Sequence, residues 1–108
     1  MTSFIEDLFD LKGRVAAITG GGGYLCGEMA RGLAKAGCKI VIMDLREKKA
    51  QAVAKEIRNK IGGEAIGIEV DATNKDAFKN GLNATIDAFG NADILINEEL
   101  RKEFIGIY

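Results

Sequence analysis

The sequence predicts an α/β fold in three layers, with a parallel sheet of about four strands in the order 3-2-1-4 between layers of helices. Short apolar runs alternate with amphipathic stretches at helical spacing, beginning and ending with a strand. Crossovers between parallel strands are right-handed, and winding that reverses at the first strand gives this strand order. We expect residues 1–108 to form one domain, whose last residues, 97–108, are a tail.

The first strand is predicted over residues 14–19, because its residues are apolar on both faces, as in a central parallel strand. It runs into four consecutive glycines, residues 20–23, and then into a helix over residues 25–36. Gly37 follows this helix as its C-terminal cap. The order places a glycine-rich turn between a buried strand and the start of a helix.

The rest of the chain repeats this alternation. Further strands are predicted over 39–44, 64–70 and 92–97, and a long second helix over 46–61. A third helix is predicted to open at Thr73-Asn74-Lys75-Asp76, which has the spacing of a capping box, and to end at Gly90. Residues 1–13 are predicted to form a short helical or irregular lead-in that packs on the domain.

The composition excludes several classes of function. The formal net charge is −1, so we expect neither nucleic-acid binding nor attraction to an anionic membrane. Histidine is absent, which excludes a histidine-based hydrolase triad and a histidine-ligated metal. Cys26 and Cys38 are too few for a disulfide framework or a zinc site, so we expect no metal. No apolar run approaches a membrane span and the N-terminus lacks a signal-peptide layout, so the expected location is the cytoplasm.

The glycine turn at residues 20–23 is a candidate phosphate site. The first N–H groups of a helix have no partner within the helix, and the helix dipole favours negative charge at that end. Glycine lets a phosphate approach the backbone and permits a positive φ. The alternative is a tight turn without a ligand, and the glycines alone do not decide between the two.

Asp44 ends the second strand, 24 residues after Gly20, at about the spacing of the acid that binds a ribose in dinucleotide sites. A carboxylate accepts hydrogen bonds from the ribose hydroxyls and repels a 2′-phosphate, which favours NAD over NADP. Arg46 is close enough to soften that preference. The alternative role of Asp44 is the N-cap of the second helix. Asp71, after the third strand, is either an acceptor for an adenine amino group or a turn or capping residue.

Four landmarks, in this order, resemble the short-chain dehydrogenase/reductases: Thr19-Gly20-Gly21-Gly22-Gly23-Tyr24-Leu25, Asp44, Val70-Asp71-Ala72 and Asp93-Ile94-Leu95-Ile96-Asn97. The sequence looks most like the bacterial sugar-acid and polyol oxidoreductases of that family, such as fructuronate or mannonate reductases and gluconate dehydrogenases. The resemblance implies a Rossmann-type fold that binds NAD. The residues it implies are Gly20, Gly22, Gly23 and Leu25 at the phosphates and adenosine, Asp44 at the ribose, Asp71 and Ala72 at the adenine, and Asn97 beside the cofactor.

The sequence departs from the family pattern at two places. Tyr24 and Cys26 occupy the last two glycine positions of the family's Thr-Gly-x-x-x-Gly-x-Gly turn, so either Tyr24 crowds the pyrophosphate or the preceding glycines reshape the loop. After Asn97 the family continues with Asn-Ala-Gly, whereas this chain has Glu98-Glu99-Leu100. The family's catalytic Ser and Tyr-x-x-x-Lys pair are missing, so we expect a truncated fold with no catalytic residues, inactive alone.

Two functions remain open from the sequence. The first is the NAD-binding N-terminal part of an oxidoreductase that acts on a sugar acid or polyol. The second is a non-catalytic oligomerising module whose nucleotide site is vestigial. In both cases a sheet that stops at its fourth strand leaves an edge and an apolar face under-covered. We therefore expect a homodimer or higher oligomer, in which the apolar tail residues 104–108 help to cover that face.

Overall fold

The computed structural model describes residues 11–20 and 22–97. The predictions for the lead-in and the tail lie outside these residues. The elements, in chain order, are β1 (Val15–Thr19), α1 (Tyr24–Lys35), β2 (Lys39–Asp44), α2 (Glu47–Glu56), β3 (Ala65–Glu69), α3 (Lys75–Phe89) and β4 (Ile94–Ile96). The strands form one parallel sheet in the order β3-β2-β1-β4, so the predicted fold class and strand order are confirmed.

The two central strands, β1 and β2, are buried almost throughout, because their successive side chains enter different cores on the two faces of the sheet. Ala16 and Ile18 of β1 pack in a core with α1 and α2, whereas Ala17 packs in a smaller core with α3. In β2, Ile42 and Met43 divide between the two cores in the same way. Two helices therefore cover one face of the sheet and one helix covers the other, as the order of elements predicts.

The predicted second helix is wrong in its last turn. Residues 46–61 are predicted as one α-helix, but α2 ends at Glu56 and a turn of π-helix follows over Ile57–Ile61. The Gly62 N–H donates to the Ile57 carbonyl oxygen (3.0 Å), which closes a turn one residue wider than an α-turn. The wider turn still buries Ile57, so the apolar periodicity does not distinguish the two kinds of helix.

The predicted capping box at Thr73 is also wrong. Asn74 is the N-cap of α3, and its side-chain oxygen accepts from the Ala77 N–H (2.9 Å). Thr73 instead donates its hydroxyl to Asp71 Oδ1 (2.6 Å). Thr73 and Asn74 are both residue types that cap helices. The hydrogen bond to Asp71 holds the Thr73 side chain in the turn before α3, and Asn74 caps the helix instead.

Asp93 holds the last strand in position. Its Oδ2 accepts from the Val15 N–H (2.9 Å), at the start of β1. This contact, together with the parallel register that pairs Ile18 with Ile96, brings the residue after β4 beside the end of β1. The carboxyl ends of β1, β2 and β4 thus meet at one edge, where the glycine turn also lies. None of the described helices is long and apolar enough to cross a membrane.

Gly67 is the point of closest approach between α2 and β3. A Cβ at this position would overlap the backbone of Ala50 and would lie 2.6 Å from the backbone nitrogen of Gln51. Because the obstruction is helix backbone, a side chain at position 67 would push α2 off the sheet.

We expect Gly67→Ala to lower the free energy of unfolding by about 1–3 kcal/mol, because the added methyl overpacks the α2–β3 contact. Urea denaturation followed by circular dichroism measures this change. Gly63→Ala is the matched control, since a Cβ there has no neighbour within 4 Å. A control as unstable as the variant, or a variant as stable as the wild type, contradicts the close-approach argument.

Candidate functional site

The turn between β1 and α1 is tight and rests on backbone hydrogen bonds. Gly20 has a φ of +69°, which glycine adopts without strain. Its N–H donates to the Met43 carbonyl oxygen of β2 (2.7 Å), and its own carbonyl oxygen accepts from the Gly23 N–H (2.9 Å). The turn is therefore attached to β2 at its start and closed on itself before the helix begins.

The N-terminus of α1 opens at this turn without a side-chain cap. Gly23 is the N-cap residue, and the first turn of α1 contains no acidic residue. The other described α-helices differ, since α2 has Glu47 in its first turn and α3 has the Asn74 cap and Asp76. At the N-terminus of α1, therefore, no side chain of the helix's own first turn competes with an external anion for the helix dipole.

Gly22 lies against the carboxylate of Asp44. The Gly22 N–H donates to Asp44 Oδ2 (3.1 Å). A Cβ at Gly22 would lie 2.8 Å from that oxygen and 2.9 Å from Lys49 Cβ. Position 22 therefore needs glycine so that the turn can reach the end of β2.

Asp44 is buried, with 4% of its side chain exposed, and its two carboxylate oxygens accept four hydrogen bonds. Oδ1 accepts from the backbone N–H of Arg46 (2.8 Å) and from its Nε (2.9 Å). Oδ2 accepts from the Gly22 N–H and from Arg46 Nη2 (3.0 Å). The alternative prediction that Asp44 is the N-cap of α2 is wrong, because Arg46 occupies the N-cap position.

The pKa of Asp44 lies below its ordinary value. Burial raises the pKa, but the hydrogen bonds and positive charge of Arg46, with the Gly22 N–H, outweigh the burial. The side chain is therefore an ionised carboxylate at neutral pH, the form that accepts hydrogen bonds at both oxygens.

A cleft of about 220 Å³ opens beside this carboxylate. Its lining comes from the ends of three strands: Thr19, Gly20, Asp44, Leu45, Arg46, Val70, Asp71, Ala72 and Thr73. The structure thus brings together four of the predicted cofactor-binding residues, Gly20, Asp44, Asp71 and Ala72. Asp71 accepts from both the N–H and the hydroxyl of Thr73, and these bonds hold the pKa of Asp71 below its ordinary value.

The other predicted residues lie around the turn and not in this cleft. Gly22 and Gly23 form the turn itself, and Leu25 is 46% exposed in the first turn of α1. Asn97 is next to the end of β1, where its Oδ1 accepts from the Thr19 hydroxyl (3.1 Å). The predicted set is therefore spread along one edge of the sheet, from the glycine turn to the end of β4.

Tyr24 and Cys26, which occupy the last two glycine positions of the family's turn, differ in burial. Tyr24 is 87% exposed, so its ring lies in solvent and does not fill the turn. Cys26 is buried in the core with Ala16 and Ile18, where a small side chain fits between α1 and the sheet.

A model of the short chain dehydrogenase family matches residues 14–98. The chain belongs to this family. It is 40% identical over 88 residues to the uncharacterized oxidoreductase UxuB of Bacillus subtilis (strain 168), a match that covers 82% of this chain and 31% of that protein. It is 41% identical over 87 residues to 2,5-dichloro-2,5-cyclohexadiene-1,4-diol dehydrogenase LinX of Sphingobium indicum, over 81% of this chain and 34% of that protein.

A solved structure that is similar to this chain agrees with the fold. The crystal structure of 3-ketoacyl-(acyl-carrier-protein) reductase from Brucella melitensis complexed with NADH has a TM-score of 0.71 and 36% identity to this chain. The match covers 79% of this chain and 33% of that one. The chain thus spans about a third of the length of the curated relatives it matches.

The sequence does not predict several of the residues that line the cleft: Thr19, Leu45, Arg46, Val70 and Thr73. The sequence does contain a pattern that places Leu45 and Val70 near the site, because each is next to an acidic residue at the end of a predicted strand. The sequence predicts only that Arg46 softens a cofactor preference, whereas the structure pairs Arg46 directly with Asp44.

The lowered pKa of Asp44 predicts that this carboxylate contributes to stability against acid. Its contribution is present above the unfolded-state pKa of about 3.9 and is lost as the pH falls through the lower folded-state value. Between about pH 4 and pH 2 we expect the free energy of unfolding to fall more steeply in the wild type than in Asp44→Asn. Urea denaturation across this range gives the slopes, and Asp87→Asn, the same substitution at an exposed position of α3, is the matched control. Equal slopes in the wild type and Asp44→Asn contradict the assignment.

Proposed function

We propose that this chain binds NAD(H) as the cofactor-binding part of an oxidoreductase. The observation that supports this best is the position of the Asp44 carboxylate, at the end of β2 and 3.1 Å from the Gly22 N–H of the glycine turn. The carboxylate lies next to a helix N-terminus that has no side-chain cap, which is the arrangement expected of an acceptor for sugar hydroxyls in a dinucleotide site. The relative from Brucella melitensis, whose structure is complexed with NADH, supports the same cofactor.

In this proposal each group of residues along this edge of the sheet contacts one part of the cofactor. The turn of Gly20, Gly22 and Gly23, with Leu25 in the first turn of α1, lies against the phosphates and adenosine. Asp44 accepts from the ribose hydroxyls, Asp71 and Ala72 lie at the adenine, and Asn97 lies beside the cofactor. NADH supplies a hydride when it is bound, and the residues named here bind and orient it.

We propose a preference for NAD over NADP. The ionised Asp44 carboxylate accepts from a 2′-hydroxyl, whereas it repels a 2′-phosphate at the same position. The carboxylate is buried, so solvent screens this repulsion less than it would screen a surface charge.

We propose a sugar acid or a polyol as the substrate class of the whole oxidoreductase, and the cytoplasm as its location. The support for the substrate is the resemblance to sugar-acid and polyol oxidoreductases, together with a relative named as a diol dehydrogenase. The 108 residues contain no Tyr-x-x-x-Lys pair, since Tyr24 is followed by Glu28 at that spacing and Tyr108 is the last residue. We therefore assign cofactor binding, and not proton transfer, to these residues.

The alternative is a non-catalytic oligomerising module with a vestigial nucleotide site. One observation favours it: the Asp44 carboxylate already accepts four hydrogen bonds from this chain, two of them from the guanidinium of Arg46. A ribose would have to displace one or more of these donors.

Calorimetric titration with NADH separates the two functions. We expect saturable binding to the wild type and a loss of at least about tenfold in affinity in Asp44→Ala, because hydrogen bonds to a charged acceptor are worth about 1.5–3 kcal/mol. Asp87→Ala, at an exposed position of α3, is the matched control and should bind as the wild type does. No heat at millimolar NADH supports the vestigial module instead.

We also propose that the chain associates with itself. Among the described residues β4 pairs with β1 alone, and its Leu95 is half-buried at the edge of the sheet. On the same face Phe78 and Leu82 of α3 are also partly exposed, and Ile86 of α3 is 47% exposed. An open strand edge beside partly covered apolar side chains favours association, so we propose a homodimer or a higher oligomer.

Light scattering after size exclusion tests the association. At micromolar concentration we expect a mass of at least twice the 11.6 kDa of one chain. Ile86→Lys is expected to shift the protein toward monomer, because the new charge must be desolvated in an apolar contact. Lys79→Glu, at an exposed position of the same helix, should leave the mass unchanged. A stable wild-type monomer refutes the proposal.

A further inference from the structure

We propose that Arg46 competes with the cofactor for Asp44, so that the Asp44–Arg46 ion pair closes the ribose subsite and must open before a ribose binds. This inference rests on the proposed NAD site and names the residue that sets its affinity and selectivity. It follows from the four hydrogen bonds at Asp44, from the exposure of Arg46 and from the position of the guanidinium.

The carboxylate of Asp44 has no remaining capacity for a ribose while Arg46 is bound. An ionised carboxylate offers about four lone-pair sites. At Asp44 these accept from the Gly22 N–H, the Arg46 N–H, Arg46 Nε and Arg46 Nη2, at 2.8–3.1 Å. A sugar that presents two hydroxyls therefore has to replace donors that are already in place.

The guanidinium is the donor that is able to leave. The N–H groups of Gly22 and Arg46 belong to the backbone, in the turn and just after β2, so they leave Asp44 only if the backbone itself moves. The Arg46 side chain is 50% exposed, whereas that of Asp44 is 4% exposed. A guanidinium that moves away enters the solvent and vacates two acceptor sites on the carboxylate. A ribose 2′,3′-diol, which donates two hydrogen bonds, needs two such sites.

The position of the guanidinium gives Arg46 opposite effects on the two nicotinamide cofactors. Arg46 lines the cleft together with Asp44, and its Nη2 lies 3.6 Å from the position that a Cβ would take at Gly23. The guanidinium thus lies beside both the carboxylate and the turn. For NADH the guanidinium is an obstacle, but a 2′-phosphate would attract it as a bidentate partner. Arg46 accordingly weakens NADH binding and supports NADPH binding.

Arg46→Gln is the variant that tests the competition. Glutamine keeps a polar side chain but loses the charge and the two-pronged contact. In calorimetric titrations we expect NADH to bind about tenfold more tightly than to the wild type, because the ribose no longer displaces a charge-assisted pair. We expect NADPH to bind more weakly than to the wild type, so the two affinities move in opposite directions. Lys48→Gln, at an exposed position of α2, removes a cation elsewhere and should change neither affinity.

Thermal unfolding gives a second readout that a purely structural role would not produce. Without cofactor, Arg46→Gln should unfold at a lower temperature than the wild type, because the buried carboxylate has lost donors. With saturating NADH the rise in unfolding temperature should be larger in the variant than in the wild type. Arg46→Lys, which keeps the charge without the fork, serves if the glutamine variant does not fold, and it too should bind NADH more tightly than the wild type.

The outcomes separate this inference from the function on which it rests. If the wild type binds NADH and the folded Arg46 variant binds it equally or less tightly, the competition is overturned and the NAD site stands. If the wild type and every variant fail to bind NADH, the NAD site and the competition are both overturned. Tighter NADH binding with weaker NADPH binding in Arg46→Gln supports the competition.

Discussion

The hydrogen bond between the Gly22 N–H and the Asp44 carboxylate joins the turn after β1 to the end of β2, and the arrangement of residues around the cleft depends on this bond. The two strands are neighbours in parallel register, with Thr19 opposite Met43, so they end at the same edge. The Gly20 N–H extends this pairing by one further bond, to the Met43 carbonyl oxygen. Since a buried polar group without a partner costs about 1–3 kcal/mol, the turn and the carboxylate hold each other in place.

Much of the fold follows from the sequence because alternation of strands and helices leaves few topologies. The handedness of crossovers reduces the choice further, and the observed order β3-β2-β1-β4 agrees with the prediction. The errors lie at helix ends. The π-turn before Gly62 leaves no distinct pattern of apolar residues in the sequence. The cap at Asn74 is not distinct either, because Thr73 and Asn74 are neighbours whose side chains can both accept from a helix N–H. Which of them caps or closes the helix depends on contacts such as that between Thr73 and Asp71.

Part of the candidate site follows from the same regularity. Asp44 and Asp71 each come just after the apolar residues of a predicted strand, and parallel strands place their carboxyl ends at one edge, so both acids line one cleft with Gly20. The pairing of Asp44 with Arg46 does not follow in this way. It depends on the rotamer of a long side chain and on the backbone between residues 44 and 46, and helix-capping rules favour a different contact for Asp44. Binding at these residues stays a prediction until the cofactor is titrated.

Arg46 has two opposed effects on the ability of Asp44 to accept hydrogen bonds from a ribose. By lowering the pKa, Arg46 favours the ionised carboxylate that a ribose requires. Asp ordinarily titrates near pH 3.9, about three units below neutrality, and burial raises the pKa of Asp44. The Gly22 and Arg46 backbone N–H groups, which remain in any Arg46 variant, oppose such a rise. Arg46 and these backbone groups together keep the carboxylate ionised, whereas the guanidinium alone occupies two of its acceptor sites, and this occupation determines how readily the carboxylate accepts a ligand.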